Sequence, residues 1–128
     1  MNIYLDVNGV LLQQDLTPAT GVINFLQRAL KDNDVYWLTS HCKGDVTTVI
    51  AYLDRMLPKE AGELIRQIKP TNWDVLKTDG IDFNKDFLWF DDNQFESEER
   101  VLASHGCEAK FIYVDLKNNP LQLHKYHF

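Results

Sequence analysis

Two short apolar runs in this chain end abruptly in acid. Asn2-Ile3-Tyr4-Leu5 leads into Asp6-Val7-Asn8-Gly9-Val10, and Phe87-Leu88-Trp89-Phe90 leads into Asp91-Asp92. A short continuous apolar run reads as a strand buried on both faces of a parallel sheet, and in open sheets of that kind ligands bind beyond the carboxyl ends of the strands. The spacing therefore predicts carboxylates gathered at one sheet edge. Held there they repel one another, and a divalent cation relieves the repulsion. Mg²⁺ suits such a place, because it sits on one or two carboxylates and keeps waters for a phosphate. Each half also has an ordinary reading: Asn8-Gly9 is a favoured turn dipeptide, and Asp91-Asp92-Asn93 could cap a helix. It is the two together, with a third apolar run closing in Thr39-Ser40 between them, that point to chemistry.

Bringing residues 6 and 91 together requires alternating strands and helices, and the remaining sequence supplies the signals. Thr17-Pro18 reads as a cap with a first-turn proline, after which Val22, Phe25, Leu26, Ala29 and Leu30 fall on one helical stripe. Asp34 to Leu38 reads as a strand, and Val46, Val49, Ile50, Leu53 and Leu57 mark a second amphipathic helix stopped by Pro58. Glu63 to Lys69 fits strand or helix. Thr71 caps a short expected helix through Lys77, with Gly80 as its terminator. Glu96 through His105 reads as a helix closed by Gly106, with Glu96, Glu98 and Glu99 on its solvated face, and Ala109 to Val114 as the last strand. Trp37, Trp89, Phe25 and Phe111 read as core. The expected fold is α/β: a three-layer α/β/α sandwich around a mainly parallel sheet of about five strands. The tail from Lys117 to Phe128 shows no period and takes no assigned role.

Composition narrows the function classes. The 128 residues fit one domain, long enough to bury roughly two-thirds of the unfolded surface. No apolar run approaches the eighteen residues of a membrane span, and no signal peptide is expected. Cys42 and Cys107 are too few and too far apart for a zinc site or disulfide framework, so a reducing cytoplasm is the expected compartment. A net charge of -6 disfavours wrapping a polyanion across the whole surface, though a local basic groove stays open.

The same residues resemble the haloacid dehalogenase superfamily, in order and across nearly the whole chain. Asp6-Val7-Asn8-Gly9-Val10 resembles its first motif, the run closing in Thr39-Ser40 its second, a lysine between residues 69 and 77 its third, and Phe90-Asp91-Asp92 its fourth. The resemblance implies a Rossmann-like domain without a cap, because the gaps between motifs leave room only for a flap and ordinary helices. It also implies a Mg²⁺-dependent phosphomonoesterase. Asp6 would be the nucleophile that forms an aspartyl-phosphate, and Gly9 would let the backbone turn beside the ligand. Asp6, the backbone carbonyl of Asn8 and the Asp91-Asp92 pair would hold the metal, with Asp92 as the direct ligand of that pair. Thr39, Ser40 and nearby N–H groups would bind phosphoryl oxygens, and a lysine would neutralise developing charge. Lys77, fourteen residues before Asp91, is favoured over Lys69, which precedes Pro70. An open site of this kind implies a phosphorylated substrate that can be bulky, such as a phosphoprotein or a nucleic-acid end.

One departure bears on turnover. Family phosphatases use a second aspartate at the position of Asn8 as general acid and base, work an amide cannot do. Such a group typically contributes about 10² to 10⁴ in rate, or roughly 3 to 5 kcal/mol of barrier. His41 and Asp15 are candidate substitutes, and imidazoles exchange protons near neutrality. The alternative is a catalytically silent scaffold that retains metal and phosphate binding. A receiver domain is disfavoured by order, since its acidic pair follows the first strand and its lysine the last.

Overall fold

The strands form where the apolar runs meet no competing turn residue. In the computed structural model, which describes residues 1–128, β1 spans Asn2–Leu5, β2 Asp34–Trp37, β3 Phe87–Asp91 and β4 Phe111–Tyr113. The helices are α1 at Val22–Lys31, α2 at Thr47–Met56, a single turn α3 at Gly62–Ile65, and α4 at Glu96–Ser104. All strand pairings are parallel, in the order β2-β1-β3-β4, with Leu5 opposite both Trp37 and Phe90.

Alternation along the strands divides the interior in two. Ile3, Leu5, Val35, Trp37 and Phe90 face α1, α2 and α3, while Tyr4, Phe87 and Trp89 face Leu102 of α4 and Phe111. Helices thus cover both faces of a four-stranded sheet, as the alternating sequence predicts. No helix is long and apolar enough to cross a membrane.

The sheet has four strands, where the sequence suggests about five. The ambiguous stretch from Glu63 to Lys69 divides into α3 and one bridge, in which Lys69 exchanges hydrogen bonds with Val35 (2.9 Å) and Trp37 (2.8 Å). Pro70 follows and has no N–H to extend the ladder. The helix expected from Thr71 to Lys77 is also absent. The Thr71 hydroxyl donates to the Trp37 carbonyl at 2.6 Å, which ties this segment to the end of β2, and only a 3₁₀ turn at Lys77–Gly80 follows. Helix α1 starts at Val22 rather than at Pro18, because Pro18 bridges Leu12 in a flap over residues 7–19.

The tail, unassigned from sequence, docks on the α1 side of the sheet. Tyr126 and Phe128 pack edge-on against Phe25 and Phe90, and Arg28 donates to the carbonyls of Leu123 (2.9 Å) and Tyr126 (2.8 Å). Gln122, buried, holds the Asp115 N–H and the Tyr113 carbonyl at 2.7 and 2.9 Å. The tail therefore closes the end of β4.

Candidate active site

Strand register brings the acids together. One step beyond the Leu5–Phe90 pair, the Asp6 N–H donates to the Phe90 carbonyl at 3.1 Å, which sets Asp6 beside Asp91 at the carboxyl end of the sheet. Both point to the face shared by Tyr4 and Trp89, since side chains alternate along each strand. Asp92 completes the group: one oxygen from each of Asp6, Asp91 and Asp92 lies within 4.8 Å of the others.

Lys77 enters this cluster from the 3₁₀ turn before β3. Its Nζ lies 2.7 Å from Asp91 Oδ2 and 3.5 Å from Asp6 Oδ2. Asp91 is fully buried, and it also accepts Trp89 Nε1–H at 3.2 Å and the Asn93 N–H at 3.1 Å. Burial, followed by the charge of Asp6, pushes the Asp91 carboxyl up to about 8 against the pull of Lys77. Burial and Asp6 also raise Asp92. Desolvation pulls the Lys77 ammonium down, but the Asp6 and Asp91 charges outweigh it and leave it raised. The cluster carries more negative charge than one lysine can offset, and its donor set is all oxygen. That is the chemistry a hard divalent cation takes.

Gly9 does more than turn the chain. At φ +84 its Cα lies against Asp92, and a Cβ there would come within 2.2 Å of Asp92 Oδ2. The flap and the acid therefore fit only with glycine at this position. Of the acidic pair, Asp92 is exposed with its carboxylate over Gly9, while Asp91 is taken up by Lys77 and Trp89.

Asn8 has its own neighbours. Tyr52 from α2 donates its hydroxyl to Asn8 Oδ1 at 3.2 Å, and Asn8 Nδ2 lies 3.4 Å from His41 Nε2. The His41 and Tyr52 rings stack at 4.5 Å. The second candidate acid, Asp15, is bound by the Thr17 hydroxyl at 2.5 Å and the Thr17 N–H at 3.1 Å, and these bonds hold its carboxyl below the ordinary range. An acid so bound carries no proton at neutrality, so His41 is the better placed of the two.

The other expected residues fall in different places. Thr39 is fully buried, and its hydroxyl accepts the His41 N–H at 3.4 Å; Ser40 beside it is exposed. Lys69 pairs with Asp34 at 2.8 Å at the start of β2, away from the acids. Glu98 corrects the reading of α4. It is not solvated but buried, and its carboxylate accepts the Lys77 N–H at 2.7 Å and the Phe95 N–H at 2.9 Å. The sequence held one signal for this, an acid three residues after the helix cap, where it can bond back to the cap N–H.

Comparison with protein-family models, curated proteins and solved structures found no match for the chain.

Proposed function

We propose that this domain is a Mg²⁺-dependent phosphomonoesterase of the haloacid dehalogenase type, slowed by Asn8. The observation that carries the proposal is the convergence of Asp6, Asp91 and Asp92 within 4.8 Å, with Lys77 wedged among them. Asp6, the Asn8 backbone carbonyl and Asp92 are the groups that would hold the metal, with Asp91 behind them. Bound Mg²⁺ supplies the positive charge that lets a carboxylate approach a phosphate.

The chain's own groups do the rest. An oxygen of Asp6 attacks phosphorus, the ester P–O bond breaks, and the departing oxygen takes a proton to leave as an alcohol. Water then adds to the acyl phosphate, releasing inorganic phosphate and restoring the Asp6 carboxylate. Lys77 neutralises charge on the phosphoryl oxygens, and Ser40 with the N–H groups of its loop binds them. Proton exchange at position 8 falls to His41, whose Nε2 lies 3.4 Å from the Asn8 amide.

The second reading is a silent phosphate-binding domain, favoured by Asn8 itself, an amide that cannot transfer the proton and whose oxygen accepts the Tyr52 hydroxyl. Hydrolysis of an aryl phosphate with Mg²⁺ separates the two. Turnover that disappears in Asp6→Asn and rises in Asn8→Asp supports the enzyme. No turnover in either the natural chain or Asn8→Asp supports the scaffold.

A further inference from the structure

A groove of about 320 Å³ opens beside the acidic site. Ser40 and Lys77, both placed in that site, line it together with Lys43, Trp73, Val75 and Phe95. Two of these side chains are large, apolar and exposed. Phe95 occupies the N-cap of α4, a position that favours Ser, Thr, Asp or Asn, and the residue is 52% exposed. Val75 is 69% exposed. Neither packs into the core.

The remaining contacts give the groove a defined chemistry. The Lys43 ammonium lies 4.3 Å from the centre of the Trp73 ring and donates to the Asp74 carbonyl at 2.8 Å, so a cation and an aromatic ring are fixed together in one wall. The opposite anchor is Glu98. By holding the N–H groups of both Lys77 and Phe95, it ties the backbone that carries the exposed ring to the backbone that carries the site lysine.

We propose that this groove is a substrate subsite that receives the planar aromatic group of a phosphate monoester whose phosphoryl group lies on the acidic site. The proposal rests on the phosphohydrolase reading. Exposed Phe95 and Val75, with the half-buried Trp73 beside them, offer apolar and π contact to a flat ring, which a polyol would not repay. Lys43 adds positive charge beside an anionic ester. The volume stands near the lower end for ligand pockets and admits one ring system. A nucleoside monophosphate and a phosphotyrosyl group share this chemistry.

The test uses calorimetry on the full chain with Mg²⁺, titrated with phenylphosphonate and methylphosphonate, neither of which requires turnover. Phenylphosphonate is expected to bind about tenfold more tightly, and Phe95→Ala or Lys43→Gln to shrink that ratio severalfold. Phe95→Ala trims an exposed ring, so its fold can be verified by its unfolding transition. Equal binding of the two phosphonates, or a ratio untouched by both variants, overturns the subsite while leaving the phosphate site standing. Absence of binding by either phosphonate overturns both readings together. Competition by O-phosphotyrosine or by thymidine 5′-monophosphate then distinguishes the two sources, and displacement by either supports the proposal.

Discussion

Lys77 Nζ stands 2.7 Å from Asp91 and 3.5 Å from Asp6, so the half-buried lysine leans on the acid behind the proposed nucleophile more than on the nucleophile itself. Removing the cation deprives Asp6 and Asp91 of their shared ammonium, which costs most where both acids are ionised. Breaking a buried pair by deleting one partner costs about 3 to 5 kcal/mol, and Lys77→Met is expected to fall at the lower end in chemical denaturation without divalent cations. Added Mg²⁺ should recover part of the loss. A variant as stable as the natural chain in metal-free buffer would show that the acids relax apart.

The raised Asp91 carboxyl gives a pH dependence of defined sign. Its folded value, about 8, lies above the ordinary 3.8, so the folded state binds the extra proton between them. Its contribution to stability is complete below the lower value and is lost as pH rises toward the upper one. In metal-free buffer the natural chain should therefore lose stability relative to Asp91→Asn across that window. Mg²⁺ affinity should move the opposite way, strengthening as pH rises and releasing protons on binding. Parallel stability profiles for the two proteins would contradict this account.

Gly9→Ala tests the contact between the flap and Asp92. The new Cβ would meet Asp92 Oδ2 at 2.2 Å, on a backbone at φ +84 that suits only glycine. A strained position of this kind costs about 1 to 3 kcal/mol. Displacement of Asp92 should also weaken Mn²⁺ or Mg²⁺ binding at least tenfold in titration. Unchanged metal affinity would remove Asp92 from the ligand set.

In the proposed reaction, position 8 should govern rate more than binding. Asn8→Asp restores an acid where proton transfer is worth about 10² to 10⁴ in rate, so kcat on an aryl phosphate should rise toward that range with KM little altered. His41→Ala should lower the residual rate of the natural chain but matter less in the Asn8→Asp background. Equal losses in both backgrounds would give His41 a structural role through its stack on Tyr52.

The tail should contribute to stability and not to chemistry. Tyr126 meets Phe25 and Phe90 and accepts a bond from Gln122 at 2.8 Å. Tyr126→Ala is expected to cost about 2 to 4 kcal/mol, as for large-to-small changes in packed aromatics. Metal affinity measured below the unfolding transition should not change.

Much of this was legible in the chain alone. Continuous apolar runs ending at Leu5 and Phe90 identify buried strands because parallel sheets hide both faces, and acids directly after them must then lie at the carboxyl edge. Helix stripes over α1, α2 and α4 follow from their 3.6 period. The expected fifth strand stops at the single Lys69 bridge because Pro70 has no N–H to extend it, and the expected helix before Lys77 gives way because the Thr71 hydroxyl bonds the Trp37 carbonyl, a contact far away in sequence.

What sequence could not decide were the matters of distance. Lys69 and Lys77 are equivalent as residue types, and only the fold sends one to Asp34 and the other to Asp6 and Asp91. Glu98 belongs by pattern to a solvated helix face, yet the turn carrying Lys77 closes over it and supplies its partner. Residue order determined which strands and acids exist, since those depend on local periodicity. Tertiary packing determined which charges are buried together, since desolvation and pairing arise only where distant segments meet.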